Sequence, residues 1–230
     1  MIPKVVYQTW KSKNLPFDYH QIQTHNQLLN PEYQFVLFDD NDLNQFFQQD
    51  SMPPSWRQAF FKINPCYGPA RADLFRYVII YFYGGIYLDI KVKCLKPFRE
   101  WILENDQGLL SYWENLYYQK DRLQNKKGEL QNFHIIFEKN HPFLLNVLEE
   151  ICKRIHQVHD STHIFGKLGV LEYTGPLMYT IVLENLLYQN ISNPIRFFDS
   201  SVVLDYGDSF CGLSKYQHYS FLQEPLFIIR

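Results

Sequence analysis

Ala70-Arg71-Ala72-Asp73-Leu74-Phe75-Arg76-Tyr77, running on through Tyr83 into Gly84-Gly85-Ile86-Tyr87-Leu88-Asp89, decides how this chain folds. Pro69 to Tyr83 reads as a helix with proline near its amino end, where a missing N–H costs nothing. Leu74, Val78, Tyr81 and Phe82 recur at helical spacing and predict its buried stripe. Gly84-Gly85 ends the helix and allows a tight turn with close approach of neighbouring backbone. Ile86 to Asp89 then reads as a short core strand. Asp73 and Arg76 are three residues apart, so they share a helix face, expected at the edge of the core beside a cleft. Asp89 falls at the carboxyl end of its strand, where ligands bind in open α/β sheets. Taken singly, the ordinary readings are a surface ion pair for Asp73 and Arg76 and a strand-end cap for Asp89.

Working outward, Val5 to Trp10 reads as a buried first strand and Gln34 to Phe38 as a second, with a helix over 18–29 between them. Asp39 to Asp42 supplies caps for a helix through Gln49, and Ser55 to Ile63 is helical between two proline breaks. Strand–helix alternation of this kind predicts an α/β sheet with a parallel core. Further on, Gly108 to Trp113 and Phe133 to Phe137 are expected strands, and Pro142 to Val158 and Leu177 to Tyr188 expected helices. Ile195 to Phe198 and Ser201 to Leu204 are late strands, and the charged stretch from Leu116 to Glu129 a surface loop. With no internal repeat or linker composition, residues 1–230 are read as one domain.

The composition excludes several classes. A hydrophobic fraction of 46% with 20% charged residues is globular, not disordered. A net charge of -2 suggests no nucleic-acid footprint, which would need a clustered basic face. The aromatic share of 17% suits stacking on the apolar faces of sugars, although codon preference explains it as well. Cys66, Cys94, Cys152 and Cys211 form no CxxC pair, which fits free thiols in a reducing compartment. No signal peptide pattern opens the chain and no apolar run approaches the ~20 residues of a membrane span. The expectation is a cytoplasmic protein of bacterial or viral origin.

The Arg71-Ala72-Asp73 helix leading into Gly84-Gly85-Ile86-Tyr87-Leu88-Asp89, after the opening Ile2-Pro3-Lys4-Val5-Val6-Tyr7-Gln8-Thr9-Trp10, resembles glycosyltransferase family 32. These enzymes carry a sugar-binding region with an Asp-x-Asp motif. The resemblance implies a Rossmann-like GT-A fold, with a mostly parallel sheet and added helices. It implies a retaining transfer of a hexose from a nucleotide diphosphate sugar, UDP-sugars favoured, to a glycan or protein acceptor. It puts Trp10 against the nucleobase, Asp73 and Arg76 on hydroxyls of the donor sugar, and Asp89 beside the ribose and a divalent cation, Mn²⁺ or Mg²⁺. It puts Gly85, Tyr87 and Asn132 beside the donor, and it likens Thr174-Gly175-Pro176 to a turn that shapes the cleft. For Trp10 the plainer reading is a core residue ending a strand.

The chain departs from that family at one position that bears on the chemistry. Its triplet reads Asp89-Ile90-Lys91, where the family has a second carboxylate. An ammonium group cannot ligate a hard cation. Three outcomes stay open: Asp89 holds the metal with distant help, Lys91 neutralises the diphosphate in the metal's place, or the protein binds a sugar nucleotide without transferring it. Lys91 and Lys93, alternating along an extended segment, are expected to point the same way. His218 is the one candidate for a carboxyl-terminal metal ligand. His156, His159 and His163 have spacings that suggest a zinc site, but no cysteine or acidic partner accompanies them, and a solvated helix end is the default. A hydrolase of sugar nucleotides is the remaining alternative.

Overall fold

The structure is a computed structural model that describes residues 1–113, 123, 127–189, 195–207 and 219–229. Strand β1 (Val5–Thr9) leads to helix α1 (Phe17–Leu29) and strand β2 (Gln34–Phe38). Helix α2 (Asp40–Gln48) starts on a reciprocal cap between Asp39 and Asp42, as the acidic cluster predicts. Helices α3 (Pro54–Lys62) and α4 (Gly68–Tyr83) follow, then strands β3 (Gly85–Leu88), β4 (Val92–Cys94) and β5 (Gly108–Leu110). The remainder is β6 (His134–Phe137), α5 (Pro142–Gln157), α6 (Gly166–Tyr173), α7 (Pro176–Tyr188), β7 (Ile195–Phe197) and β8 (Leu204–Tyr206).

Among the described residues six strands form one sheet in the order β2-β1-β3-β6-β5-β7. The pairs β2–β1, β1–β3 and β5–β7 are parallel, and β6 runs antiparallel to both of its neighbours. One strand therefore opposes an otherwise parallel sheet. The consequence is local: the amino end of β6 lies beside the carboxyl end of β3, with His134 opposite Leu88. Pleat alternation sends Ile86 and Leu88 to one apolar core with Val6, Leu109 and Ile136, and Tyr87 to the other, where α4 lies.

Helix α4 is buried nearly all round rather than along one stripe. Leu74 and Val78 are inside as expected, but so are Phe75, Tyr77, Ile79 and Ile80, while Tyr81 and Phe82 are only partly covered. A helix apolar on every side belongs in the interior, and each such side chain contributes about 1.5–3 kcal/mol on burial. Two glycines then turn the chain straight from α4 into β3. Gly84 has φ 66°, and a Cβ there would lie 2.6 Å from the Lys139 backbone nitrogen. Gly85 has φ 105°, and its Cβ would lie 2.7 Å from the Val5 carbonyl oxygen. Only glycine lets β3 enter the sheet against β1 so directly.

Several expectations are corrected. The strand expected over 108–113 stops at Leu110, with a lone bridge between Tyr112 and Leu130 beyond it. The segment expected as a strand from Ser201 is a 3-10 turn, Ser200–Val202, because the Asp199 side chain accepts from the Ser201 backbone N–H. Helix α6 has no clear forerunner in the sequence pattern, since Gly166 and Gly169 dilute it. Lys91 and Lys93 do not share one extended run. Lys91 sits in the turn closed by the Val92 N–H on the Asp89 carbonyl, and β4 begins after it. Glu129, expected within a surface loop, is buried; most of the rest of that stretch lies outside the described residues.

Candidate functional site

The cluster forms where the sheet topology brings chain ends together. β1 and β3 are parallel neighbours, so Trp10 and Asp89 follow their carboxyl ends on the same edge. Antiparallel β6 delivers Asn132 to that edge, and the Asp89 N–H donates to the Phe133 carbonyl at 2.8 Å. Helix α4 lies over the face carrying Tyr87 and supplies Asp73 and Arg76.

Arg76 is the hub. Its Nη2 is 3.1 Å from Asp89 Oδ1 and 3.4 Å from Asp73 Oδ1. Its Nη1 donates to the Asn132 carbonyl, and the guanidinium lies 4.5 Å from the centre of the Tyr87 ring. The Tyr87 hydroxyl shares a 2.7 Å hydrogen bond with Thr9 Oγ1, tying β1 into the cluster. Asp73 is held on both oxygens: Asn132 Nδ2 donates to Oδ1 at 3.1 Å, and Thr174 Oγ1 donates to Oδ2 at 3.0 Å. Tyr77 completes the frame, donating to the Thr174 carbonyl at 3.2 Å and accepting from Asn132 Nδ2 at 3.1 Å.

Burial decides the electrostatics. Asp73 and Arg76 are each 5% exposed, deeper than the core-edge position expected from their spacing. Two carboxylates share one guanidinium, so the cluster is net negative when both are ionised. Burial pushes the Asp73 carboxyl up to about 7, against the pull of Arg76 and of the Thr174 and Asn132 hydrogen bonds. Burial alone would lower Arg76, but Tyr87, Asp89 and Asp73 outweigh it and keep the guanidinium charged. Asp89, with 22% of its side chain exposed, is the member of this charged trio that meets solvent.

The expected site residues divide into three sets. Asp73, Arg76, Tyr87, Asp89 and Asn132 come together. Trp10 stands at the same sheet edge, partly exposed, packed edge-on against Tyr19 at 4.9 Å, with its indole N–H buried and unpartnered. Gly85 does not join them: it opens β3 at the far end of the strand, where its smallness serves the approach to Val5. His218 lies outside the described residues. A residue that sequence reasoning misses is Tyr219, which packs under the site from the 3-10 turn Tyr219–Phe221. Its phenol is pushed up to about 12 by burial and then by Asp73 and Asp89. No local signal marks it, because only the tertiary fold brings the turn back to α4.

A divalent cation wants several hard oxygen ligands. Asp89 offers one carboxylate, which already accepts from Arg76. The Lys91 ammonium stands two residues on and lies 3.8 Å from the centre of the Tyr206 ring. Among the described residues no three His, Cys, Asp or Glu side chains gather into a metal-holding group. The described donors by themselves do not fit a divalent cation. Helix α5 ends at Gln157, so His159 and His163 fall beyond it, and His156 Nε2 is paired with the Ser55 carbonyl at 3.1 Å. Cys66, Cys94 and Cys152 are free thiols.

Comparison with known proteins follows the same residues. Residues 8–107 match the family model described as glycosyltransferase sugar-binding region containing DXD motif. Inositol phosphoceramide mannosyltransferase 3 of Schizosaccharomyces pombe is 32% identical over 183 residues, which are 79% of this chain and 44% of that protein. The initiation-specific alpha-1,6-mannosyltransferase of Candida albicans is 26% identical over 223 residues, covering 85% of this chain and 56% of that protein. The chain thus spans about half the length of the curated relatives it matches. Among solved structures, PaToxG Glycosyltransferase aligns with a TM-score of 0.57 at 19% identity, covering 82% of this chain and 75% of that one. The UDP-bound glycosyltransferase domain from the YGT toxin aligns with a TM-score of 0.56 at 9% identity, covering 89% and 80%. The curated relatives named here are fungal, so these matches lend no support to the bacterial or viral source expected from the sequence. Among the described residues no helix is long and apolar enough to cross a membrane.

Proposed function

The chain belongs to the glycosyltransferases whose sugar-binding region contains a DXD motif, with a GT-A fold, and on that premise we propose that residues 1–230 form one catalytic domain that moves a hexose from a nucleotide diphosphate sugar to an acceptor. The observation that carries this is the Arg76 guanidinium held between Asp73 and Asp89 at the carboxyl end of β3. That is where open α/β sheets bind nucleotides. The buried carboxylate and guanidinium offer fixed acceptors and donors for sugar hydroxyls, and Trp10 offers a ring for the base.

Breaking the bond from the anomeric carbon to phosphate leaves new negative charge on the nucleoside diphosphate, which preorganised positive charge must meet. Lys91, beside Asp89, is the side chain we assign to that role; a Mn²⁺ or Mg²⁺ ion, the alternative, would need ligands beyond Asp89 and the other described donors. The transfer is taken as retaining. Mannose is supported by the names of the fungal relatives, and UDP by the aligned toxin domain, which is UDP-bound. The names of the relatives also widen the acceptor from glycan or protein to a glycan or an inositol phosphoceramide lipid.

The test is nucleotide release from a panel of UDP- and GDP-sugars with Mn²⁺, Mg²⁺ or EDTA. Release that persists in EDTA supports Lys91, and release that needs metal supports the ion. A second reading, a sugar-nucleotide-binding module without transfer, is favoured by the lysine in the triplet; binding without release from any donor, whatever the acceptor, would establish it.

A further inference from the structure

Thr174 is wholly buried, yet it lies 101 residues from the carboxylate it touches. It stands at the turn between α6 and α7, where its N–H donates to the Val170 carbonyl at 3.0 Å. The turn around it is tight. A Cβ on Gly175 would lie 2.9 Å from Leu171 Cα and 3.0 Å from the Val170 carbonyl, and Pro176 starts α7 without needing a partner for an N–H. The hydroxyl has one proton and two acceptors in reach. Asp73 Oδ2 at 3.0 Å is charged and near, whereas the Val170 carbonyl at 3.4 Å is neutral and distant. The charged acceptor takes it.

Asp73 has a second restraint on its other oxygen, from Asn132 and Arg76. Those contacts alone would let the carboxylate pivot about Oδ1. Thr174 removes that freedom and, by donating to the charged form, opposes the burial that favours its neutralisation. The remaining groups facing Asp73 are the Tyr77 and Tyr219 phenols and the Asp89 carboxylate across Arg76.

We propose that Thr174 is a positioning residue that locks the Asp73 carboxylate in the orientation that receives the donor hexose, so that the α6–α7 turn sets sugar affinity without touching the nucleotide. This rests on the donor-site reading of Asp73 given above. A threonine-to-valine change keeps the shape and removes only the hydroxyl; serine restores it.

The experiment compares Thr174→Val, Thr174→Ser and Asp73→Asn with the unsubstituted chain. It measures kcat and KM for the turned-over donor and, by calorimetry, the affinity for the free nucleoside diphosphate. Thr174→Val is expected to lower kcat/KM for the donor by roughly ten- to a hundredfold, the worth of one hydrogen bond to a buried charge. Nucleoside diphosphate affinity should stay within about twofold, and Thr174→Ser should recover most of the loss. The proposal is overturned if Thr174→Val turns over donor as well as the unsubstituted chain, if donor and nucleotide affinity fall together, or if serine fails to rescue. Asp73→Asn separates the two readings: full activity there sinks the donor site itself, whereas its loss beside an unaffected Thr174→Val sinks only the role of Thr174.

Discussion

Arg76 reaches Asp89 across 13 residues of chain, and Thr174 reaches Asp73 across 101. Both contacts belong to one buried cluster, but they are specified differently. The first is written in a single helix–glycine–strand unit: α4, Gly84, Gly85 and β3 together fix where Asp73, Arg76, Tyr87 and Asp89 point. The second exists only because the α6–α7 turn packs against α4, just as antiparallel β6 beside β3 brings in Asn132 from another distant segment. The local unit supplies the charges. The distant segments supply the neutral groups around those charges: Asn132 and Thr174 hold Asp73 by hydrogen bonds, and the Tyr219 phenol faces the cluster.

If that division is right, removing a charge from the local unit should cost most. Arg76→Ala leaves Asp73 without its buried partner and should lower unfolding free energy by about 3–5 kcal/mol, read by denaturant titration. A loss below ~1 kcal/mol would mean that water reaches the cluster and that the two regions do not differ in kind. The glycines sharpen the point on the backbone. Gly84→Ala meets both a left-handed φ and a clash with the Lys139 backbone, whereas Gly175→Ala meets only the clash with the α6 backbone. Gly84→Ala should therefore be the more destabilising, by about 1–2 kcal/mol, the cost of that φ for an L-residue. Equal midpoints would break the comparison.

A pH dependence separates burial from pairing. The folded Asp73 carboxyl titrates near 7, above its unfolded value, so the folded state holds a proton that the unfolded chain releases. Its contribution is full at low pH and is lost as pH rises through about 7. Relative to the unsubstituted chain, Asp73→Asn should accordingly gain stability between about pH 4 and pH 7 and level off above. A flat difference across that range, in parallel melts, would show that Arg76 and Thr174 cancel the burial. The surface pair Arg99–Glu32 is expected to matter least, with Arg99→Ala within about 0.5 kcal/mol by the same melts.

The same contrast explains what the sequence discloses. The α4–β3 unit is legible because helix period, glycine stop and strand end lie within one stretch, and the early strands and helices follow from ordinary patterning. Asn132 is reachable only by resemblance. Thr174 is legible as a turn but not as a partner of Asp73, and Tyr219 carries no signal, since a tyrosine in a polar tail has no periodicity to place it. The misreadings have physical causes too. Period alone makes α4 half exposed, because nothing local records that the sheet and the neighbouring helices enclose it. Gly85 is drawn toward the donor by its neighbours in sequence, although a strand carries each successive residue some 3.3 Å further along.

The most direct test is a crystal structure with the turned-over nucleotide sugar, or an unreactive analogue of it, bound. The sugar hydroxyls are expected within hydrogen-bond distance of Asp73 and Arg76, the base against Trp10, and the diphosphate beside Asp89 and Lys91. A donor seated elsewhere, with the Asp73–Arg76–Asp89 cluster still closed on itself, would contradict the donor-site reading and leave the cluster as a structural feature of the core.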